Sequence, residues 1–447
     1  MINIEFTPEK DGILAGETNT FEVLLRASSE LQQPSSSSKR LPLNLSLVID
    51  RSGSMNGQPI EEAKKCAAML VDRMNANDQL SVVTYDSSVD VLFPTTKVLH
   101  KDRLKTLIDR IRTGGTTALY EAWSVGAEQV AMDAGENYLS RVLLLSDGMA
   151  NHGLTDEAII ASHCQTMAEN GVTTSTYGLG KRFNENLMTA MAKSGQGQAN
   201  YGQTADDLMD PFNEEFDLME AIIARRMKLR ILPEVGVSFE LLNGYTQDQE
   251  GRFIIPDLAY GADVWAFLKI KVSKSLCDQA TDTSIRVLTA TIDFVDDDGV
   301  ERRTDPAVMT IELLAQDAFA ELALDETVNQ RSIELRAATL QEQAQIAARR
   351  DDWVRVDQIM EKLEALGTDN EWIKVSLERL KTYSVRRQRD EFSKEANYKT
   401  SRMRTRRVSR SEEEGSFDMS AERARPSYLR RKLEQGKNSF NFCKDNP

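Results

Sequence analysis

The chain is expected to hold a doubly wound α/β domain, set between the strands of an all-β sandwich and followed by an α-helical region. Three observations lead there. Between Pro42 and Arg226, short apolar runs alternate with segments of helical spacing. After Arg226 the apolar period falls from 3.6 to 2, and from Gln316 it returns to the helical value. At 447 residues the chain also exceeds what one hydrophobic core supports, about 250–300 residues.

Residues 1–41 read as strands, with alternation over 2–6 and an apolar stretch over 20–25 after the turn near Gly12 and Gly16. The serine-rich stretch 33–38 reads as a polar loop or linker. Within 42–226, residues 43–49 form an apolar run suited to a strand covered on both faces. A helix over 60–74, strands over 80–85 and 90–93, and helices over 104–111 and 119–132 follow. Residues 141–146 give a second buried strand, and Thr155 is placed to cap a helix running to Glu169. A strand over 172–178, a helix over 184–192, a strand over 199–203 and a long closing helix over 205–226 complete the alternation, which predicts a parallel sheet.

Residues 227–315 break into short strands at 227–232, 237–242, 252–255, 264–272, 284–294 and 307–314, the pattern of a sandwich. The first 41 residues share that pattern, so the α/β domain is read as inserted between sandwich strands. Residues 316–392 read as a helical hairpin or three-helix unit broken at 367–370, with Trp353 and Trp372 in its packing. Residues 393–447, rich in Ser, Arg, Glu and Asn, read as a disordered basic tail.

Composition narrows the function. From Arg386 onward there are 17 Lys and Arg against 10 Asp and Glu, so the tail carries +7 and the remainder −22. An acidic body argues against nucleic acid as its ligand. No apolar run reaches the ~18 residues of a membrane span, and the first residues lack a secretory pattern, so a cytoplasmic location is expected. Cys66, Cys164, Cys277 and Cys443 are scattered without a CxxC pair, which argues against zinc and against a disulfide framework. His100, His152 and His163 are too isolated for a histidine metal site and are read as structural or surface residues.

The informative motif is Asp50-Arg51-Ser52-Gly53-Ser54, directly after the first buried strand. A loop there sits at the carboxyl end of a parallel strand, where doubly wound sheets bind ligands. One carboxylate and two hydroxyls at i, i+2 and i+4 line a small oxygen cup, and Gly53 lets the loop turn tightly. Hard cations such as Mg²⁺ favour such oxygen donors. Gly114-Gly115-Thr116-Thr117, ahead of the helix at Leu119, and Ser146-Asp147-Gly148, after the second buried strand, point to the same place.

DxSxS followed by GGT and SDG resembles the metal-ion-dependent adhesion site of von Willebrand factor A domains, over roughly 42–226. The resemblance implies a Rossmann-like sheet whose first and fourth strands lie side by side, bringing Asp50 and Asp147 together. It implies a divalent cation (Mg²⁺, with Mn²⁺ or Ca²⁺ as alternatives) held by Asp50, Ser52, Ser54, Thr116 and Asp147, with Thr117 the rival of Thr116. It further implies that the metal coordinates an Asp or Glu of a partner protein. Bacterial cytoplasmic proteins of this layout act beside AAA+ ATPases or Ser/Thr kinase–phosphatase systems, which are the partner classes expected.

No catalytic residue is expected. A phosphorylated Asp50 would want a carboxylate at position 52, where Ser52 stands, and no GxxxxGK[ST] cradle occurs. His152 is the lone nearby base and reads as a surface-loop residue. The alternatives are a subunit of an enzyme complex (chelatase-like or phosphosignalling), with the metal in a chemical role, and a homo-oligomeric scaffold. Asp296-Asp297-Asp298-Gly299 lacks the alternation of a calcium loop and reads as a hairpin turn. Arg406-Arg407-Val408-Ser409 places Ser409 where a basophilic kinase would accept it, a candidate regulatory site.

Overall fold

The computed structural model describes residues 2–29, 41–132, 138–147, 152–179, 183–202, 212–213, 215–216, 218–260, 262–280, 283–367, 371–405 and 408–409. The expected linker at 33–38, the helical break at 368–370, Cys443 and the tail beyond 409 lie outside these residues. The chain divides into two compact units: Ser37–Ile222 with Asp297–Val300, and the remainder.

Strands β1 (Ile2–Pro8), β2 (Gly12–Leu14) and β3 (Asn19–Ser29) open the chain. The α/β unit follows with β4 (Leu43–Asp50), α1 (Gln58–Arg73), β5 (Gln79–Tyr85), β6 (Val89–Lys97), α2 (Lys101–Asp109), α3 (Leu119–Ala131), β7 (Leu139–Ser146), α4 (Glu157–Glu169), β8 (Val172–Leu179), α5 (Glu185–Ser194) and β9 (Gln196–Gly202). Its sheet runs β6-β5-β4-β7-β8-β9. β4 pairs in parallel with both β5 and β7, while β6 runs antiparallel to β5, so the sheet is mixed.

Every residue of β4 is buried, as expected of a strand covered on both faces. Leu43, Leu45, Leu47 and Ile49 join the apolar cluster on the α1 and α2 side, and Val48 joins the one on the α3 side. Gly126 lets α3 approach, since a Cβ there would stand 2.4 Å from Val48 Cγ2. Asp156, not Thr155, caps α4, accepting from Ala158 N and Ile159 N at 3.0 Å. A carboxylate one position closer to the helix out-competes the threonine.

The closing helix is shorter than expected. Residues 212–213, 215–216 and 218–220 are helical, but strand β10 (Ile222–Pro233) begins before Arg226. Ile222-Ile223-Ala224 has no helical polar face, and Ala224 pairs with Asp296. Arg141 and Glu215 are buried together at 2.7 Å, and the Glu215 carboxylate also accepts from Ser175 and Tyr177.

The second unit continues with β11 (Val237–Leu241), β12 (Phe253–Ile254), β13 (Leu258–Ala259), β14 (Ala262–Val272), α6 (Lys274–Gln279), β15 (Ser284–Asp296), β16 (Glu301–Arg303) and β17 (Ala307–Leu314). One sheet runs β1-β3-β14-β11 and another β12-β10-β15-β17-β2, with β13 on β10 and β16 on β15. Strands from before residue 30 and after residue 261 thus share sheets, and side chains of both sheets meet in one apolar cluster that includes Val23, Met227, Leu268 and Val287. β15 and β16 are antiparallel across a turn with Gly299 at φ 80°, and Asp296 accepts from Arg302.

Helices α7 (Gln316–Glu321), α8 (Glu326–Arg349), α9 (Trp353–Leu366), α10 (Glu371–Val385) and α11 (Arg389–Thr405) follow. The expectation of two or three helices misses a break at Asp351, left-handed at φ 56°, with Asp352 capping α9 by accepting from Arg355 N at 3.0 Å. The expectation of disorder from 393 is also corrected, because α11 runs to Thr405. Its Phe392, Ala396 and Met403 are buried with Ile359 and Leu380. Three apolar residues suffice where the rest of the helix is polar. Among the described residues no helix is long and apolar enough to cross a membrane.

Candidate metal centre

Three loops at the carboxyl ends of β4 and β7 and ahead of α3 build the site. Asp50 ends β4 and is fully buried; Asp147 directly follows β7 and is 8% exposed. Because β4 and β7 are neighbours in parallel register, both carboxylates leave the sheet at the same point. The first loop is held by the Asp50 carboxylate itself. Oδ1 accepts from Ser52 N at 2.8 Å, and Oδ2 accepts from Ser146 Oγ at 2.7 Å. Ser52 and Ser54 hydroxyls lie 3.1 Å apart, and Ser54 Oγ donates to Asp147 Oδ1 at 2.8 Å.

The second loop is stitched to the first through its backbone. Gly53 N donates to Gly115 O at 3.2 Å and Gly114 N to Arg51 O at 2.8 Å. Gly115 has φ 66°, and a Cβ there would meet Ser87 Oγ at 2.6 Å, so glycine is required. Thr116 is exposed on this loop and Thr117 is 4% exposed. Gly148 and Asn151 lie outside the described residues. Ser409 belongs to the other unit, on the two-residue strand Val408–Ser409 paired with Ala262 and Asp263.

Residues that are not among the assigned ligands position the loops. The β5–β6 turn is the clamp. Arg51 reaches Asp86 Oδ2 at 3.1 Å and Asp90 Oδ2 at 2.5 Å, and Ala118 N donates to Asp86 O at 2.9 Å. Ser88 N and Oγ hold Asp86 Oδ1 at 2.9 and 3.1 Å. Their signal was the polar run Asp86-Ser87-Ser88, legible only as a turn. Ser146, read as part of a loop signature, is the second support of Asp50.

Burial raises the Asp50 pKa from 3.8 to about 6 against the lowering effect of its Ser52 and Ser146 hydrogen bonds, and the nearby Asp147 charge raises it further. Burial, then the Asp50 charge, pushes the Tyr85 phenol up. The Arg51 guanidinium, engaged with Asp86 and Asp90, is not among the leading influences on Asp50. Two carboxylates held together in a buried site favour a cation between them. The donor set fits a small hard ion. Neighbouring oxygens of an octahedron with ~2.1 Å bonds stand about 3 Å apart, which matches the 3.1 and 2.8 Å separations along Ser52, Ser54 and Asp147.

His163 Nδ1 lies 2.9 Å from Tyr120 OH, and His100 precedes α2. Cys66, Cys164 and Cys277 are buried, with no disulfide among the described residues; burial pushes the Cys164 and Cys277 thiols up.

Comparison with known proteins agrees with the fold of the α/β unit. The family model for the von Willebrand factor type A domain matches residues 44–214. An uncharacterized protein of Synechocystis sp. is 32% identical over 184 residues, 41% of this chain and 43% of that one, so the chain spans less than half of that relative's length. The von Willebrand factor type A structure from Catenulispora acidiphila covers 85% of this chain and 89% of its own at TM-score 0.67 and 12% identity. The ArnB paralog VWA2 from Sulfolobus acidocaldarius covers 90% and 98% at TM-score 0.61 and 16% identity. At these identities the likeness is one of fold. The chain therefore carries a von Willebrand factor type A domain over residues 44–214.

Proposed function

We propose that this domain holds a divalent cation, Mg²⁺ or alternatively Mn²⁺ or Ca²⁺, and uses it to bind an Asp or Glu side chain of a partner protein. Asp50, Ser52, Ser54, Thr116 and Asp147 are the ligands assigned. The observation that carries the reading is the run of oxygens from Ser52 through Ser54 to Asp147 beside a buried Asp50. Thr116 is preferred to Thr117 because its side chain is exposed toward solvent, where an incoming ion arrives, while Thr117 is buried. The bound cation supplies an electropositive position that a partner carboxylate completes.

Domains of this family commonly mediate metal-dependent protein–protein interaction, which supports an adaptor over an enzyme. The two sheets of the other unit are read as a β-sandwich receiving the domain as an insertion, supported by their shared apolar cluster. An affinity pull-down repeated with Mg²⁺ and with EDTA tests the function. Partners retained only with Mg²⁺, and lost with Asp147→Ala, are expected; an identical set under both conditions contradicts the reading.

A further inference from the structure

The charge around the candidate metal centre is lopsided. Residues 44–214 hold 14 basic and 22 acidic residues, yet 97–112 holds 6 basic against 2 acidic. Helices α1 and α2 pack antiparallel: Lys101, which opens α2, donates to Asp72 O near the end of α1 at 2.7 Å, while Thr113, past the end of α2, donates to Asn56 just ahead of α1. The Glu61 carboxyl is held below its usual range by the Lys64 hydrogen bond and by the charges of Lys64, Arg112 and Lys65.

This basic end abuts the metal loops. Thr113, next to Arg112, donates from Oγ1 to Asn56 Oδ1 at 3.3 Å, and Gly114 N donates to Arg51 O. Three other cations of α1 and α2 are already paired: Lys64 with Glu61, Lys105 with Asp72, and Arg73 with Glu220. Lys65 and Arg110 are exposed and make no ion pair within 4 Å among the described residues. Arg112 is exposed and, among the described residues, donates to the carbonyls of Asp109 and Ile111 and meets no carboxylate within 4 Å.

We infer that the carboxylate reaching the metal centre belongs to an acidic segment of the partner, whose further Asp or Glu side chains run over the paired ends of α1 and α2 and are held by Lys65, Arg110 and Arg112. The inference deepens the proposed function and rests on it. Exposed charge complementarity of this kind steers encounter and selects partners, and salt screens it over about 8–10 Å.

Two fluorescein-labelled synthetic peptides test it by anisotropy with the full chain in Mg²⁺ buffer. One carries a single Asp among Gly and Ser; the other adds four Glu after the Asp. The acidic peptide is expected to bind ~10-fold tighter at low salt, with the advantage shrinking as salt rises. Lys65→Glu with Arg110→Glu removes that advantage without weakening Mg²⁺ binding measured by calorimetry, since added negative charge favours the cation. Lys65→Gln with Arg110→Gln gives an intermediate loss, and Lys193→Glu, elsewhere in the domain, gives none. Equal affinity of the two peptides, or an advantage that survives the double charge reversal, overturns the basic rim. Calorimetric Mg²⁺ binding in that case leaves the metal reading standing, whereas absent Mg²⁺ heat overturns both.

Discussion

Ser54 Oγ donates to Asp147 Oδ1 at 2.8 Å, joining the loop after β4 to the loop after β7 across 93 residues of sequence. The bond aligns two oxygens that come from different strands, at a separation an octahedral ion accommodates. Ser54→Ala removes one oxygen and frees Asp147. It is expected to weaken Mg²⁺ affinity by ~10–100-fold while changing the melting temperature in EDTA little, since Ser54 is exposed. Calorimetry beside a thermal melt in EDTA checks both halves; unchanged affinity removes Ser54 from the site.

The buried Asp50 makes the metal-free protein pH-sensitive. Its pKa rises from 3.8 to about 6 on folding, so between those values the folded state binds more protons than the unfolded chain. This group's contribution is fully present below pH 3.8 and is lost as pH rises through 6, an effect of about 3 kcal/mol. In EDTA, the stability difference between wild type and Asp50→Asn should therefore shift as pH rises from 5 to 7, in favour of the variant. With Mg²⁺ present the proton competes with the ion, and affinity should fall below pH 6. Parallel pH profiles for the two proteins would contradict this.

Asp86 acts on the site from the outside. Arg51 and Ala118 both hang on it, one through its side chain and one through its carbonyl. Asp86→Ala keeps the carbonyl and loses the Arg51 anchor. Mg²⁺ affinity is expected to drop ~10-fold, with Asp50, Ser52 and Asp147 untouched. An affinity equal to wild type would show that the first loop holds its shape without the clamp.

Glu215 is the structural counterpart. Its carboxylate is buried with Arg141, Ser175 and Tyr177. Glu215→Ala leaves Arg141 buried without its carboxylate, a change expected to destabilise by about 3–5 kcal/mol. Chemical denaturation measures it, and a loss under 1 kcal/mol would show that the network relaxes at little expense.

Legibility in the sequence followed local physics. The strands 43–49 and 141–146 were readable because both faces are covered, leaving apolar runs where a half-exposed strand alternates. The loop motif was readable because a strand must end at Asp50 for Ser52 and Ser54 to follow it. The clamp was not: Arg51, Asp86 and Asp90 meet only once β4, β5 and β6 pair, and nothing local marks that pairing. The break at Asp351 was hidden because the turn uses a left-handed aspartate where Gly or Pro would have announced it. Helix α11 was hidden because its buried apolar residues, Phe392, Ala396 and Met403, are few among many charged and polar ones.

Calorimetric titration of EDTA-stripped, dialysed protein with Mg²⁺ tests the central claim most directly, run on wild type and on Asp50→Ala. The account predicts saturable binding at one site in the wild type. It also predicts a matching rise in melting temperature, of about 2.7 kcal/mol in stability at a hundredfold excess over Kd. Both responses should vanish in Asp50→Ala while that variant remains folded. Wild-type protein that takes up no divalent ion, or an Asp50→Ala variant that binds Mg²⁺ as well as wild type, would contradict the assignment of this loop cluster as a metal centre.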